Sequence, residues 1–92
     1  MQARERAEKL VKLACNRQQV QLLDGTVAFK KLAWERDSHG NRHFLRYFQF
    51  EFTLTGGERC EGIISLKGIR QEYLFLDLPD EPVFHIEKVV NQ

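Results

Sequence analysis

Apolar side chains alternate with other residues along 42–54 of the chain. Four phenylalanines occupy even positions of this stretch, namely Phe44, Phe48, Phe50 and Phe52. The residues between them are mostly polar. A period of two places alternate side chains on opposite faces of a β-strand. We therefore predict a long strand over 42–54 in the middle of a small antiparallel sheet. Because a small domain needs the apolar area, we place all four phenylalanines in the core.

Residues 2–16 have the pattern of an amphipathic helix. Small and aliphatic side chains recur at spacings of three and four, at Ala3, Ala7, Leu10, Val11 and Ala14. Good helix formers occupy most of the remaining positions. The apolar stripe is narrow and rich in alanine. It predicts a helix that lies close against one face of the sheet, with a helix whose first turns do not pack as the alternative.

Four more strands are predicted, over 19–23, 26–36, 59–67 and 70–78. Asp24-Gly25 between two apolar runs favours a type I′ hairpin that joins the first two strands. The apolar parity changes between Phe29 and Leu32, which indicates a β-bulge near Lys30, with an interrupted strand as the alternative.

The tail, residues 79–92, is left open, because 83–90 fits an edge strand and a short helix equally well. The connections between predicted strands are short, so consecutive strands are expected to be antiparallel neighbours. The whole chain, 1–92, is then a single α+β domain. Its N-terminal helix packs on one face of a five-stranded antiparallel meander. Gly62 falls on the inward side, where the missing side chain allows a large neighbour to approach.

Charge is unevenly distributed along the chain, although the net charge is only +1. Residues 1–46 carry ten Lys/Arg and five Asp/Glu, whereas residues 47–92 carry four and eight. A basic front half and an acidic back half suggest an oriented molecule with its basic end near an anionic partner. Chance scatter of charges in a small domain is the alternative.

Cys15 and Cys60 are the two cysteines, too few for the disulfide framework of a small secreted domain. Cys60 has the apolar parity of its strand, which favours a buried free thiol. Free thiols fit a reducing compartment. The printed sequence contains no run of 18 apolar residues, so we expect the chain as given to be soluble.

The sequence gives little support for catalysis or metal binding. Asp37, His39 and His43 are metal-ligating types at short spacing, but zinc sites usually have a fuller ligand set, and a polar hairpin tip explains them better. Glu51 and Glu61 are both predicted on the outer face, where a solvated surface explains them. No nucleophile, base and orienting group are recognisable together. We therefore expect no enzyme, no catalytic residues, no metal and no cofactor.

One stretch of the central strand suggests an interaction surface. Arg46 is charged on the apolar parity, and Leu45 and Tyr47 are apolar or aromatic on the outer one, so Leu45, Arg46 and Tyr47 form the candidate interaction patch. Aromatic and basic residues on a strand also occur in RNA-binding sheets, but the glycines of that pattern are missing here. We expect an unknown protein partner and no nucleic acid. A small-ligand or nucleic-acid binding domain that uses the basic N-terminal half is the alternative.

Three segments carry a resemblance to a known family: 22–28 (LLDGTVA), 46–52 (RYFQFEF) and 56–62 (GGERCEG). Together they resemble the proteobacterial domain of unknown function family 3301, over about residues 4–78. The resemblance implies no activity. It implies an N-terminal transmembrane anchor followed by a basic helix, and the basic residues that match are Arg4, Arg6, Lys9 and Lys12.

The printed sequence departs from that family pattern because it has no apolar span. We therefore expect the soluble part of an anchored protein. Basic residues directly after a span mark the cytoplasmic side, which here implies the inner face of a bacterial inner membrane. Anionic lipid near the first helix is an expected secondary contact.

Overall fold

A computed structural model describes residues 2–23, 25–54, 57–79 and 83–86, with side chains described up to residue 79. Within these residues one helix is followed by six strands: α1 (Ala3–Arg17), β1 (Gln21–Leu22), β2 (Ala28–Arg36), β3 (Arg42–Thr53), β4 (Arg59–Lys67), β5 (Arg70–Leu76) and β6 (Val83–Ile86). The predicted α+β class, with an N-terminal helix on an antiparallel sheet, is confirmed.

β3 is the central strand, as its alternation predicted. On one side it pairs with β4, which pairs with β5, and β5 pairs with β6. β2, β3, β4 and β5 form the predicted antiparallel meander. The strand β6 lies in the tail that the sequence left open, so the strand alternative holds for 83–86. The rest of 80–92 lies outside the described residues.

The predicted hairpin between the first two strands is wrong. β1 and β2 both pair with the same edge of β3, at Leu22↔Phe52 and Ala28↔Gln49, and not with each other among the described residues. Both are antiparallel to β3, so they run in the same direction as one interrupted strand. Gly25 has the positive φ that favours glycine, but the chain does not reverse here, because β1 and β2 both pair antiparallel with β3.

Thr26 fills the gap in this interrupted strand. Its hydroxyl donates to the carbonyl of Leu23 at 2.6 Å and accepts from the backbone N–H of Glu51 at 3.0 Å. The N–H of Leu23 in turn donates to the carbonyl of Glu51 at 2.9 Å. A side chain thus replaces the ladder bond that a continuous strand would make at this position.

The predicted bulge in β2 is confirmed. The register between β2 and β3 shifts between Phe29 and Lys31, so Lys30 is the extra residue. A bulge moves the alternation by one position. For this reason Phe29, Leu32 and Trp34 share one face of the sheet although their numbers differ in parity.

The main core lies between α1 and the face of the sheet that it covers. The buried side of α1 consists of Ala7, Val11, Ala14 and Cys15, and it packs against buried side chains from β3, β4 and β5. Gly62, on β4, is opposite Phe50 on β3, and a Cβ at Gly62 would collide with the Phe50 ring. The predicted close approach at Gly62 is therefore confirmed.

One of the four phenylalanines placed in the core is not there. Phe48, Phe50 and Phe52 are buried, but 42% of Phe44 is exposed. The physical reason is length: a helix of 15 residues spans about 22 Å, whereas a strand of 12 residues spans about 40 Å. The helix contacts β1, β3 and β4, and β2 with the start of β3 extends beyond it. We call this uncovered β2–β3 extension, residues 28–36 and 42–47, the arm.

Candidate protein-interaction site

The helix side of the arm exposes four large apolar residues. Cross-strand partners share a face, and Leu32 pairs with Arg46, which pairs with the buried Leu66 of the core. On this face the side chains of Phe29, Leu32, Trp34 and Phe44 are 55%, 49%, 60% and 42% exposed, respectively. We call these four residues, together with Arg42 and Arg46, the aromatic strip.

The side chains of the aromatic strip are held in place by one another. The rings of Trp34 and Phe44 are cross-strand partners with centroids 3.8 Å apart. Phe29 packs edge-on against the buried ring of Phe48 at 5.8 Å. The guanidinium carbon of Arg42 lies 5.9 Å from the centre of the Trp34 ring. Such contacts fix rotamers before binding, which lowers the entropy lost when a partner docks.

Sequence reasoning missed the aromatic strip, although one signal was present. Alternation identified the correct face, but the apolar face was equated with the buried face. A comparison of the predicted lengths shows that a helix over 2–16 cannot cover a strand over 42–54. The uncovered end of that strand is where apolar side chains remain exposed.

The candidate patch Leu45, Arg46 and Tyr47 does not form a single surface. Arg46 is exposed on the helix side of the sheet, within the aromatic strip. Leu45 and Tyr47 lie on the opposite face, because successive residues of a strand alternate. Leu45 is only 1% exposed, and Tyr47 is half-buried beneath the ammonium of Lys31, 5.0 Å from its ring centre. Leu45 therefore adds almost no exposed surface to the candidate patch.

Leu45 is covered by its neighbours on the outer face of the sheet. It lies in a groove of about 440 Å³ whose other walls are mostly long polar side chains from β2, the 37–41 loop, the start of β3, the end of β4 and the start of β5: Glu35, Arg36, Asp37, Ser38, His43, Lys67, Arg70, Glu72 and Tyr73. The nearby hydroxyl of Ser65 is fully buried and has no hydrogen-bond partner among the described residues. Burial raises the pKa of Tyr47 and of Tyr73, and the charge of Glu35 raises both further.

Asp37 and His43 meet at the edge of this groove. Oδ2 of Asp37 lies 2.9 Å from Nε2 of His43, and Oδ1 accepts from the backbone N–H groups of His39 and Asn41, each at 2.9 Å. The hydrogen bond to His43 holds the pKa of Asp37 well below its usual range, and the two backbone donors contribute. The imidazole of His39 takes no part, and the described residues contain no group of three or more potential metal ligands.

The remaining reactive side chains are the two cysteines and the carboxylates of Glu51 and Glu61. Both cysteines are buried free thiols, as predicted for Cys60, and burial raises the pKa of Cys15 to about 11 and also raises that of Cys60. Glu51 and Glu61 are cross-strand partners on the outer face, and Glu51 accepts an ion pair from Arg59 at 3.1 Å. No serine, threonine or cysteine of the described residues hydrogen-bonds the ring of His43, so the Asp37–His43 pair orients no such nucleophile.

The basic residues of α1 point in several directions. Steps of about 100° per residue put Arg4 on the side of the buried stripe, at its N-terminal end, Arg6 and Lys12 on opposite flanks, and Lys9 on the far side. Arg4 lies 4.0 Å from Glu8, and Nε of Arg6 donates to the carbonyl of Ile69 at 3.1 Å. Lys9 and Lys12 line a groove of about 510 Å³ together with Glu5 and Glu8.

No helix of the described residues is long and apolar enough to cross a membrane.

These features define the class of the protein: a small α+β domain with a one-sided helical cover and an exposed aromatic arm. The family is given by comparison, since residues 1–78 match the family described as protein of unknown function (DUF3301). The chain belongs to this family, as the resemblance of its three segments implied. Neither the curated proteins nor the solved structures contain a match to the chain.

Proposed function

We propose that this protein is a small, non-enzymatic protein-interaction module that binds its partner through the aromatic strip. The observation that carries the proposal is the exposure of four large apolar side chains on one face of the arm. Contiguous exposed apolar surface on a small soluble domain usually marks an interaction site. Trp and Arg are also the residues most enriched at the energetic centres of interfaces.

The charge of the strip indicates the chemistry of the partner. The helix-side positions of the arm include Arg42 and Arg46 but no Asp or Glu. A partner that buries Trp34 and Phe44 therefore needs apolar side chains at its centre and carboxylates at its rim. An acidic amphipathic segment of another protein meets both requirements.

The proposal includes a location at the cytoplasmic face of a bacterial inner membrane, as the soluble part of an anchored protein. Two buried free thiols support a reducing compartment. Exposed Lys9 and Lys12 on α1 support a secondary contact with anionic lipid, at about 1 kcal/mol per basic residue near the surface. Glu5 and Glu8 beside them weaken that contact.

Site-specific crosslinking in the native membrane fraction tests the proposal. A photo-crosslinking amino acid at position 44 is expected to capture a reproducible acidic protein. The strip variant Phe44→Ser/Arg46→Gln, with the crosslinker moved to position 29, is expected to lose it. The matched control is Ile69→Ser/Arg70→Gln, which also removes one exposed apolar side chain and one exposed arginine.

Equal capture by the strip variant and the control would contradict the proposal, and so would the absence of any captured protein. RNA and anionic vesicles are tested in parallel over a salt titration. Binding to RNA with a steep salt dependence that the strip variant abolishes would replace the protein partner with a nucleic acid.

A further inference from the structure

The free edge of β2 is the feature from which the inference starts. β2 pairs with β3 along one edge, and its other edge has no ladder partner among the described strands. Eight of its nine residues are exposed and one is half-buried. The bulge at Lys30 ends the regular part of this edge, which therefore runs from Lys31 to Arg36.

The regular part of the edge is complementary to itself. In an antiparallel pair of two such edges with Ala33 opposite Ala33, Lys31 of each copy faces Glu35 of the other, and Leu32 faces Trp34. Lys31 and Glu35 both lie on the outer face, opposite Tyr47 and His43 of β3. Leu32 and Trp34 both lie on the helix side. One register thus gives two opposite-charge pairs and two apolar pairs.

Neighbouring registers lose this match. A shift that places Trp34 opposite Trp34 puts Leu32 against Arg36, and it leaves Glu35 opposite Ala33. A shift in the other direction brings Glu35 to Phe29, at the bulge. The pairing is therefore specified by side chains and not only by backbone hydrogen bonds.

We infer that the protein forms a symmetric homodimer by antiparallel pairing of two β2 edges, with the two-fold axis between the Ala33 residues. The helix leaves room for the second copy because it packs on β1, β3 and β4. Two six-residue edges bury less than a standard interface of about 1,600 Å², so the dimer is weak, with a Kd in the micromolar range. This inference goes beyond the proposed function because it concerns the free edge of β2, although Leu32 and Trp34 belong both to this edge and to the aromatic strip.

Charge reversal tests the pairing. Lys31→Glu places Glu against Glu at both pairs, and Glu35→Lys places Lys against Lys, so each variant is expected to raise the dimer Kd by about tenfold or more. The double variant Lys31→Glu/Glu35→Lys restores both opposite-charge pairs and the dimer. A mixture of the two single variants is expected to form a heterodimer, since all its pairs are complementary. Sedimentation equilibrium over a concentration series measures each case.

A cysteine at the axis provides a second test. Two Ala33→Cys chains are expected to form an intermolecular disulfide on mild oxidation, because Cα atoms of opposite residues lie within bridging distance. Ser38→Cys, in the exposed loop, is the control.

A monomeric wild type at high concentration would overturn the inference, as would single reversals that dimerise as the wild type does. Phe44→Ser/Arg46→Gln leaves β2 unchanged and is expected to dimerise, so loss of partner capture and loss of the dimer are separable.

Discussion

At the scale of single residues, Gly62 is a position where an added side chain would collide with its neighbours. Its Cβ would lie 2.8 Å from the carbonyl oxygen of Phe75 and would collide with the ring of Phe50. Overpacking of this kind costs about 1–3 kcal/mol. Gly62→Ala is expected to lower the free energy of unfolding by that amount, measured by urea denaturation.

The control for this prediction is the double variant Gly62→Ala/Phe50→Leu. The smaller leucine side chain opens space for the new methyl group, so the two changes are expected to cost less together than the sum of the single variants. Additive costs would show that Phe50 is not what excludes a side chain at Gly62.

Asp37 and His43 give a residue-scale prediction about pH. A carboxyl with a lowered pKa in the folded state contributes stability above its unfolded pKa of about 3.9, and that contribution is lost as the pH falls toward its folded pKa. We expect the wild type to lose stability below about pH 4 more steeply than Asp37→Asn.

Carboxyl NMR is expected to show that the pKa of Asp37 rises in His43→Gln, because the bond to His43 is the main cause of the shift. An unchanged pKa would assign the shift to the backbone donors.

At the scale of elements, the junction between β1 and β2 depends on one hydroxyl. Thr26→Val keeps the shape of the side chain but leaves the N–H of Glu51 without its acceptor. A loss of about 1–2 kcal/mol of unfolding free energy is expected. Thr53→Val, on β3, is the matched control, since Thr53 makes no side-chain hydrogen bond among the described residues. Equal losses for the two variants would rule out a special role for Thr26.

The same elements show what the sequence can and cannot predict. Alternation located β3, β4 and β5 because side-chain period directly reports a strand, and the parity change at Phe29 located the bulge. Alternation does not report which strand is the neighbour, so Asp24-Gly25 was misread as a hairpin. Exposure depends on the length of the covering element, and for that reason Phe44 was assigned to the core.

The candidate site was predicted less well than the fold. The candidate patch combined Arg46, on the apolar parity, with Leu45 and Tyr47 on the outer one, and the register keeps these residues on opposite faces of the sheet. The exposed Trp34 stands opposite Phe44, and this pairing depends on the register of two strands. A register that includes a bulge cannot be counted from the sequence with the certainty that such a site needs.

At the scale of the whole molecule, charge is unevenly distributed along the central strand β3. The molecule measures 46 × 25 × 19 Å, and β3 runs from basic Arg42 and Arg46 in the arm to Glu51 at the other end, where Glu61 is its neighbour. We expect retention on a cation exchanger near the isoelectric point, because the arm presents its cations without adjacent acids on that face.

Paired substitutions test this asymmetry. Arg42→Gln/Arg46→Gln is expected to lower the salt concentration at elution more than Lys9→Gln/Lys12→Gln, although each variant removes two positive charges. Lys9 and Lys12 have Glu5 and Glu8 within their groove, so their field is already partly cancelled. Equal shifts for the two variants would show that only net charge governs retention.

The position of β2 at the edge of the sheet also determines how readily this strand opens. β2 forms its ladder with β3 alone among the described strands, and nearly all of its side chains are exposed, so it contributes little to the packed core. Segments of this kind open locally at a lower free energy than the global unfolding of the domain. The amide protons of β2 are therefore expected to exchange with solvent faster than those of β4. The surface that we propose as the partner-binding site would then be released and re-formed while the core beneath α1 stays folded.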